Sequence, residues 1–193
     1  MKDLWKYMSN REYTEERYAL EMMIKDADRR IFAPDPHDFE ESVEGLQQFL
    51  EALGCDEFLS AEECTRPNHP NIAYEYGYTE FVPPKGAWYA FGVLAIIFDM
   101  ARRIAGSPIH VRNAYRPEEY NADVGGAKSS DHISPNGVCL AFDMDFKSHE
   151  DRKKVDAYVE RLYDLDWLEL SIGKGNAMYH LGVLNRRRRW SYK

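Results

Sequence analysis

The segment SSDHISPNGVCLAFDMDF, residues 129–146, places one histidine, His132, eleven residues ahead of Asp143, with Asp145 two further on. Side chains of a strand alternate between its faces. Leu140, Phe142, Met144 and Phe146 then share one face, and Cys139, Ala141, Asp143 and Asp145 the other. The first face calls for a core. The second sets two carboxylates beside small residues, although aspartate is a poor strand former. Two readings compete: solvated surface aspartates, or carboxylates held by a cation. His132 lies just ahead, on a loop. His180 falls in the last apolar run, after a loop containing Gly173, Gly175 and Asn176. His, Asp and His from three separate segments are the usual ligand types of a catalytic zinc that keeps one position open. Spacing alone does not single this set out, because six histidines and 33 acidic residues offer many accidental triples. His37, His69, His110 and His149 read as that background.

The elements that must carry these residues follow from periodicity. Residues 10–33 read as a charged amphipathic helix, with Tyr13, Arg17, Leu20 and Ile24 near helical spacing. The prolines of APDPHD end it. A second helix fits residues 39–53, with Val43, Leu46, Phe49, Leu50 and Leu53 on one face and Gly54 as its stop. Residues 55–86, with four prolines and the alternating Tyr74, Tyr76 and Tyr78, read as an irregular stretch packed by aromatics. A third helix fits residues 87–105, with Trp88, Phe91, Leu94, Ala95 and Phe98 on its apolar face; Gly106 and Pro108 stop it. Strands are expected in PIHVRNAY and VCLAFDMDF, a helix over residues 148–163, and a hairpin in which WLELSI and MYHLGVL flank GKGNA. The fold class is α+β, a small, mostly antiparallel sheet with flanking helices.

Composition sets outer bounds. The chain has 193 residues, 44% hydrophobic, which suits one core domain with an extension. A net charge of −8 argues against a general nucleic-acid binder. The run Arg186–Arg189 reads as a solvated terminal segment or as a contact for an anionic partner. Three cysteines without CxxC spacing form no disulfide framework, and a reducing compartment fits, although a Cys55–Cys64 bridge stays open. Met1 is followed by no apolar leader, and the longest apolar run, residues 87–101, is too short for a membrane span. The expectation is a chain made without an export signal, cytoplasmic or virion-associated, with no membrane partner.

Several linked motifs carry a resemblance. GSPIHVRNAYRPEEYNADVGGAKSSDH contains a strand, then Tyr115-Arg116-Pro117, then an Asn-x-x-Val-Gly-Gly-Ala segment over residues 121–127, then Ser130-Asp131-His132. Ala141-Phe142-Asp143 follows, and His180 closes the series. In this order they resemble the zinc D-Ala-D-Ala carboxypeptidase family, metallopeptidases that share a fold with Hedgehog signalling domains. The resemblance spans roughly residues 55–185, so residues 1–54 are expected to form an N-terminal helical extension beside a zinc peptidase-like domain at 55–193. It implies Zn2+ held by His132, Asp143 and His180. It implies that Arg116 pairs with a substrate carboxylate or a developing oxyanion, that Ser130 orients the site, and that Gly125 and Gly126 give the backbone a tight path toward the metal.

Three departures bear on activity. The step from His132 to Asp143 is longer than the family's, with SPNG as an inserted turn. Leu181-Gly182 follows His180, where the family commonly has x-Asp, so an orienting carboxylate is missing from that place. Asn176, Ala177 and Met178 stand where relatives carry a Glu or His base, which leaves Asp145, and after it Glu169, as candidate bases. Two functions are therefore expected to compete. One is a zinc hydrolase of peptidoglycan stem peptides, a D,D-carboxypeptidase or endopeptidase of the phage lytic type. The other is a catalytically weak binding or structural module, such as a virion component, docked to a larger assembly through its N-terminal helices.

Overall fold

The computed structural model describes residues 34–164, 168–175 and 178–192. The helix expected over residues 10–33 lies outside them. The first α-helix, α1 (Val43–Leu53), starts four residues later than its hydrophobic pattern suggests. The Ser42 side chain accepts the Gly45 N–H at this later point, and residues 36–38 form a separate 3-10 turn. Gly54 ends α1 and Gly106 ends α4 (Trp88–Ala105), both in the left-handed conformation expected of such stops.

Residues 55–86 correct the expectation of an irregular stretch, because they hold two short helices, α2 (Ala61–Thr65) and α3 (Pro70–Glu75). Ser60 caps α2 by accepting the Glu63 N–H, a local start that the prolines around it obscure in the sequence. The Tyr120 hydroxyl accepts the His69 N–H, which ties the entry of α3 to α5 (Glu118–Asp123). Ala73, Phe81 and Tyr120 form a small second core there.

Five strands make one sheet: β1 (Ile109–Asn113), β2 (Leu140–Phe146), β3 (Leu170–Lys174), β4 (Tyr179–Val183) and β5 (Arg188–Ser191), in the order β1-β2-β4-β3-β5. The first three pairings are antiparallel, and β5 runs parallel to β3. The fold is α+β with a mostly antiparallel sheet, as its periodicities suggest. α6 (His149–Asp164) completes the layer of helices. On the helix side of the sheet, Phe142 meets Phe91 and Phe98 edge-on, with ring centroids 5.7 and 6.3 Å apart. Leu46, Phe49, Leu50 and Leu53 of α1 belong to this same core. Burying such side chains contributes about 1.5–3 kcal/mol each, so this layer fixes the sheet against which the polar face is built.

β5 is a correction of a different kind. The arginine run is no solvated tail. Arg188 and Arg189 lie in the strand, and Arg189 pairs with Glu160 and Asp164 at 2.7 and 2.9 Å. Arg187 donates to the Tyr163 carbonyl and Arg186 to Ser129. The three cysteines are free and buried, so the Cys55–Cys64 bridge is not formed. No helix among the described residues is long and apolar enough to cross a membrane.

Candidate metal centre

Sheet register sets out the polar face in two cross-strand rows. The first runs Asn113, Asp143, His180, Gly173, Trp190, and the second Ala141, Gly182, Ser171, Arg188. Residues two apart on a strand share a face, so Asp143 and His180 stand opposite each other with small residues beside them. Over this face lies a 3-10 turn at Asp131–Ile133, capped by Ser130, whose hydroxyl accepts the His132 N–H. The inserted Ser134–Gly137 segment closes as a turn, with the Gly137 N–H donating to the Ser134 carbonyl at 2.8 Å. Asn136 pins it by donating to the Leu184 carbonyl of the β4–β5 connection.

The structure brings His132, Asp143 and His180 together, buried, with one ligand atom of each within 4.8 Å of the others. His132 Nε2 lies 3.1 Å from Asp143 Oδ1, and His180 Nδ1 lies 3.0 Å from the same oxygen. The far nitrogen of His132, Nδ1, faces the Ala114 carbonyl, which makes it the donor and leaves Nε2 with its lone pair turned inward. Asn113 steadies Asp143 by donating to Oδ2 at 3.4 Å. Burial depresses the His132 pKa, against the opposing pull of Asp143. Burial also acts to lower that of His180, but Asp131 and Asp143 outweigh it and the net shift is upward. Asp143 is subject to a burial penalty that its two histidines overcome, and its pKa falls well below the carboxylate range.

This donor set fits zinc. His132 Nε2 is buried, makes no hydrogen bond, and turns its lone pair to the Asp143 carboxylate oxygen 3.1 Å away, two acceptors whose approach costs free energy unless a cation lies between them. Two imidazoles and one carboxylate from three segments match the three-ligand catalytic pattern that leaves a position open. A cleft of about 610 Å³ leads to the set.

Arg116 lines that cleft, half-buried. Its backbone N–H donates to the His132 carbonyl and its Nη2 to Ser130 Oγ at 3.4 Å, while Nε has no partner. Burial lowers its pKa from an ordinary guanidinium. It has no acidic ion-pair partner among the described residues, whereas Arg112, Arg188 and Arg189, which also line the cleft, are each paired with a carboxylate. Gly125 and Gly126 line the same wall.

The two candidate bases are placed elsewhere. Asp145 shares the strand face of Asp143, but its carboxylate pairs at 2.8 Å with Arg112, the residue at the register shift of β1 between Val111 and Asn113. Its carboxylate lines a separate, smaller hollow with Met144, Ser148 and Arg152. Glu169 precedes β3 and is exposed, four residues along the strand from Gly173, which pairs with His180. Neither lines the cleft.

The sequence reading missed three groups. Trp190 of β5 packs against His180, ring centroids 4.9 Å apart and planes tilted by 53°, and Tyr192 also lines the cleft. Asp131 is fully buried, and its Oδ2 lies 3.5 Å from His180 Nε2. The alternation in RRRRWSY could have shown the strand. Asp131 gave no signal, because only the tertiary fold brings it to His180.

Searches of curated proteins and of solved structures returned no match to this chain. The sequence profile of the Peptidase M15 family matches residues 84–181, just over half of the 193 residues. The matched span runs from just before α4 into β4 and holds all three residues of the centre. M15 peptidases are zinc-dependent, and the donor set fits that metal; the chain belongs to the Peptidase M15 family.

Proposed function

We propose that this chain is a zinc-dependent hydrolase of peptidoglycan stem peptides, a D,D-carboxypeptidase or endopeptidase of the lytic type with a Hedgehog/DD-peptidase-like fold. The observation that carries the reading is the buried His132–Asp143–His180 set at the foot of a cleft beside Arg116. His132, Asp143 and His180 would hold the metal. When bound, Zn2+ supplies a Lewis acid that polarises a carbonyl and brings the pKa of water to about 7.

The chain's own residues supply the rest. Arg116 offers a guanidinium with one partnerless nitrogen to an anionic group, and its planar fork suits a peptide C-terminal carboxylate. Ser130 fixes that side chain and the turn that bears His132. Trp190, tilted against His180, covers the histidine on the β5 side. The segment before α1 would dock the peptidase domain to a larger assembly, such as a virion; α1 itself, within the extension expected over residues 1–54, packs into the core of that domain.

One observation favours a second reading, a zinc-fold binding module with weak hydrolysis. Among the described residues lining the cleft, Asp143 is the sole carboxylate, and metal-assisted hydrolysis generally uses a proton shuttle near the water. Incubating the zinc-loaded protein with cell walls, and with a peptide ending in D-Ala-D-Ala, separates the two. Chelator-sensitive release of D-Ala or muropeptides supports the hydrolase. Bound zinc with no release supports the module. A protein that takes up no stoichiometric zinc contradicts both.

A further inference from the structure

We propose that Asp131 is a positioning residue for the metal centre: from outside the sheet it holds the His180 ring so that Nδ1 faces Asp143, and Gly182 is the opening through which it reaches. This inference rests on the metal reading above.

Asp131 has zero exposure and sits beside His132, yet its carboxylate serves a different histidine. Oδ2 faces His180 Nε2 across 3.5 Å, and Nε2 has no other partner. The carboxylate is itself fixed from three sides. Ser171 donates to Oδ2, Arg188 Nη2 reaches Oδ2 at 3.1 Å, and Asn185 donates to Oδ1. These donors come from β3, from β5 and from the loop between β4 and β5, so three segments converge on one buried anion. The route is through β4. A Cβ at position 182 would lie 2.6 Å from Asp131 Oδ2 and closer still to Ser171 Oγ, so the carboxylate occupies the space that a side chain two residues beyond His180 would fill.

The consequence is chemical. A carboxylate accepts and cannot donate, and both ring nitrogens face one; once a metal takes the place between Nδ1 and Asp143, the single ring proton belongs on Nε2, facing Asp131. Nδ1, the nitrogen 3.0 Å from Asp143 Oδ1, is then the one with a lone pair for a metal. Outer carboxylates fix tautomer and ring orientation of metal-binding histidines in this way. Arg188 keeps the pair from carrying a bare buried charge, so β5 acts on the centre through Asp131.

The test uses zinc affinity, measured by competition with a chelating indicator, in the full chain and in Asp131→Asn, which keeps size and removes charge. Alongside it, NMR of the zinc-loaded, 15N-histidine-labelled wild type reports which nitrogen of His180 carries the proton. The expected results are one zinc per wild-type chain, about 10- to 100-fold weaker binding in the folded variant, a lower melting temperature of the metal-free variant because Ser171, Asn185 and Arg188 lose a buried carboxylate, and a proton on Nε2. Unchanged affinity in Asp131→Asn overturns the inference, as does a proton on Nδ1 in the wild type. If the variant does not fold, the wild-type NMR decides alone. A wild type that binds no stoichiometric zinc overturns the metal reading itself, a failure distinct from that of Asp131.

Discussion

Phe142 and Asp143 are neighbours in one strand, both buried, and they face opposite worlds. Phe142 meets two phenylalanines of α4. Asp143 meets two histidines across β4 and the 131–133 turn. The helix face is held by non-directional burial, which needs only apolar residues of the right volume. The polar face is held by directed contacts, each of which needs one particular atom in one place. The same pleat thus separates a layer that makes the fold from a layer that makes the centre, and each can be damaged with little cost to the other.

The largest expected effect is on the polar face. Asp143→Ala should abolish stoichiometric zinc uptake by metal analysis, a loss beyond the roughly 100-fold typical of an outer partner, while far-UV circular dichroism shows the fold retained. Phe142→Ala should do the reverse, destabilising the protein by about 3–5 kcal/mol in denaturant titration while its folded fraction still binds zinc. If Phe142→Ala weakened intrinsic zinc affinity as much as Asp143→Ala does, the two faces would not be separable.

Next comes pH. Zinc takes a neutral imidazole, so protons compete with it. The His180 pKa lies above that of a free histidine, and that of His132 below. Affinity should therefore fall first as pH drops through the His180 value, with His132 adding to the fall only at lower pH. Competition titrations from about pH 8 down to about pH 5.5 would show it; affinity that is flat over this range would contradict the pairing of His180 with two carboxylates.

Smaller still are the effects of the two carboxylates outside the cleft. Asp145→Ala and Glu169→Ala should each change hydrolysis by less than about tenfold, since proton transfer by a positioned base is worth about 100-fold or more. A larger loss in Asp145→Ala would mean that its carboxylate leaves Arg112 during turnover.

The smallest effect lies far from the centre. Asp151 accepts from Ser107 and Ser148, each at 2.7 Å, and these hydrogen bonds hold its pKa below the usual value. A depressed carboxylate contributes stability above its unfolded pKa, about 3.9, and loses it as pH falls through the folded value. Ser107→Ala should lower the melting temperature slightly at neutral pH, and the difference should vanish in acid.

The helix face was readable from sequence almost residue by residue, because period-2 and period-3.6 alternation is a property of consecutive residues. The apolar faces of α1, α4 and β2 follow from it, and the glycines after α1 and α4 add the local signal of a helix stop. The polar face was readable only where chemistry left a local mark, as in Ser130-x-His132 and Ala141-x-Asp143. Asp145 shows the limit. Its place on the strand face follows from alternation, but its carboxylate is held by Arg112, at a register shift in the neighbouring strand that no local pattern announces. The carboxylate expected to be missing after His180 is the other instructive case. Position 182 is indeed glycine, and a side chain 51 residues earlier in the chain fills the gap it leaves.

The central claim is that this polar face is a zinc centre. Crystals of the zinc-loaded protein, measured on both sides of the zinc absorption edge, test it most directly. One anomalous peak is expected about 2.0–2.2 Å from His132 Nε2, an Asp143 carboxylate oxygen and His180 Nδ1. No peak there, or a peak bound by His180 through Nε2, would contradict it.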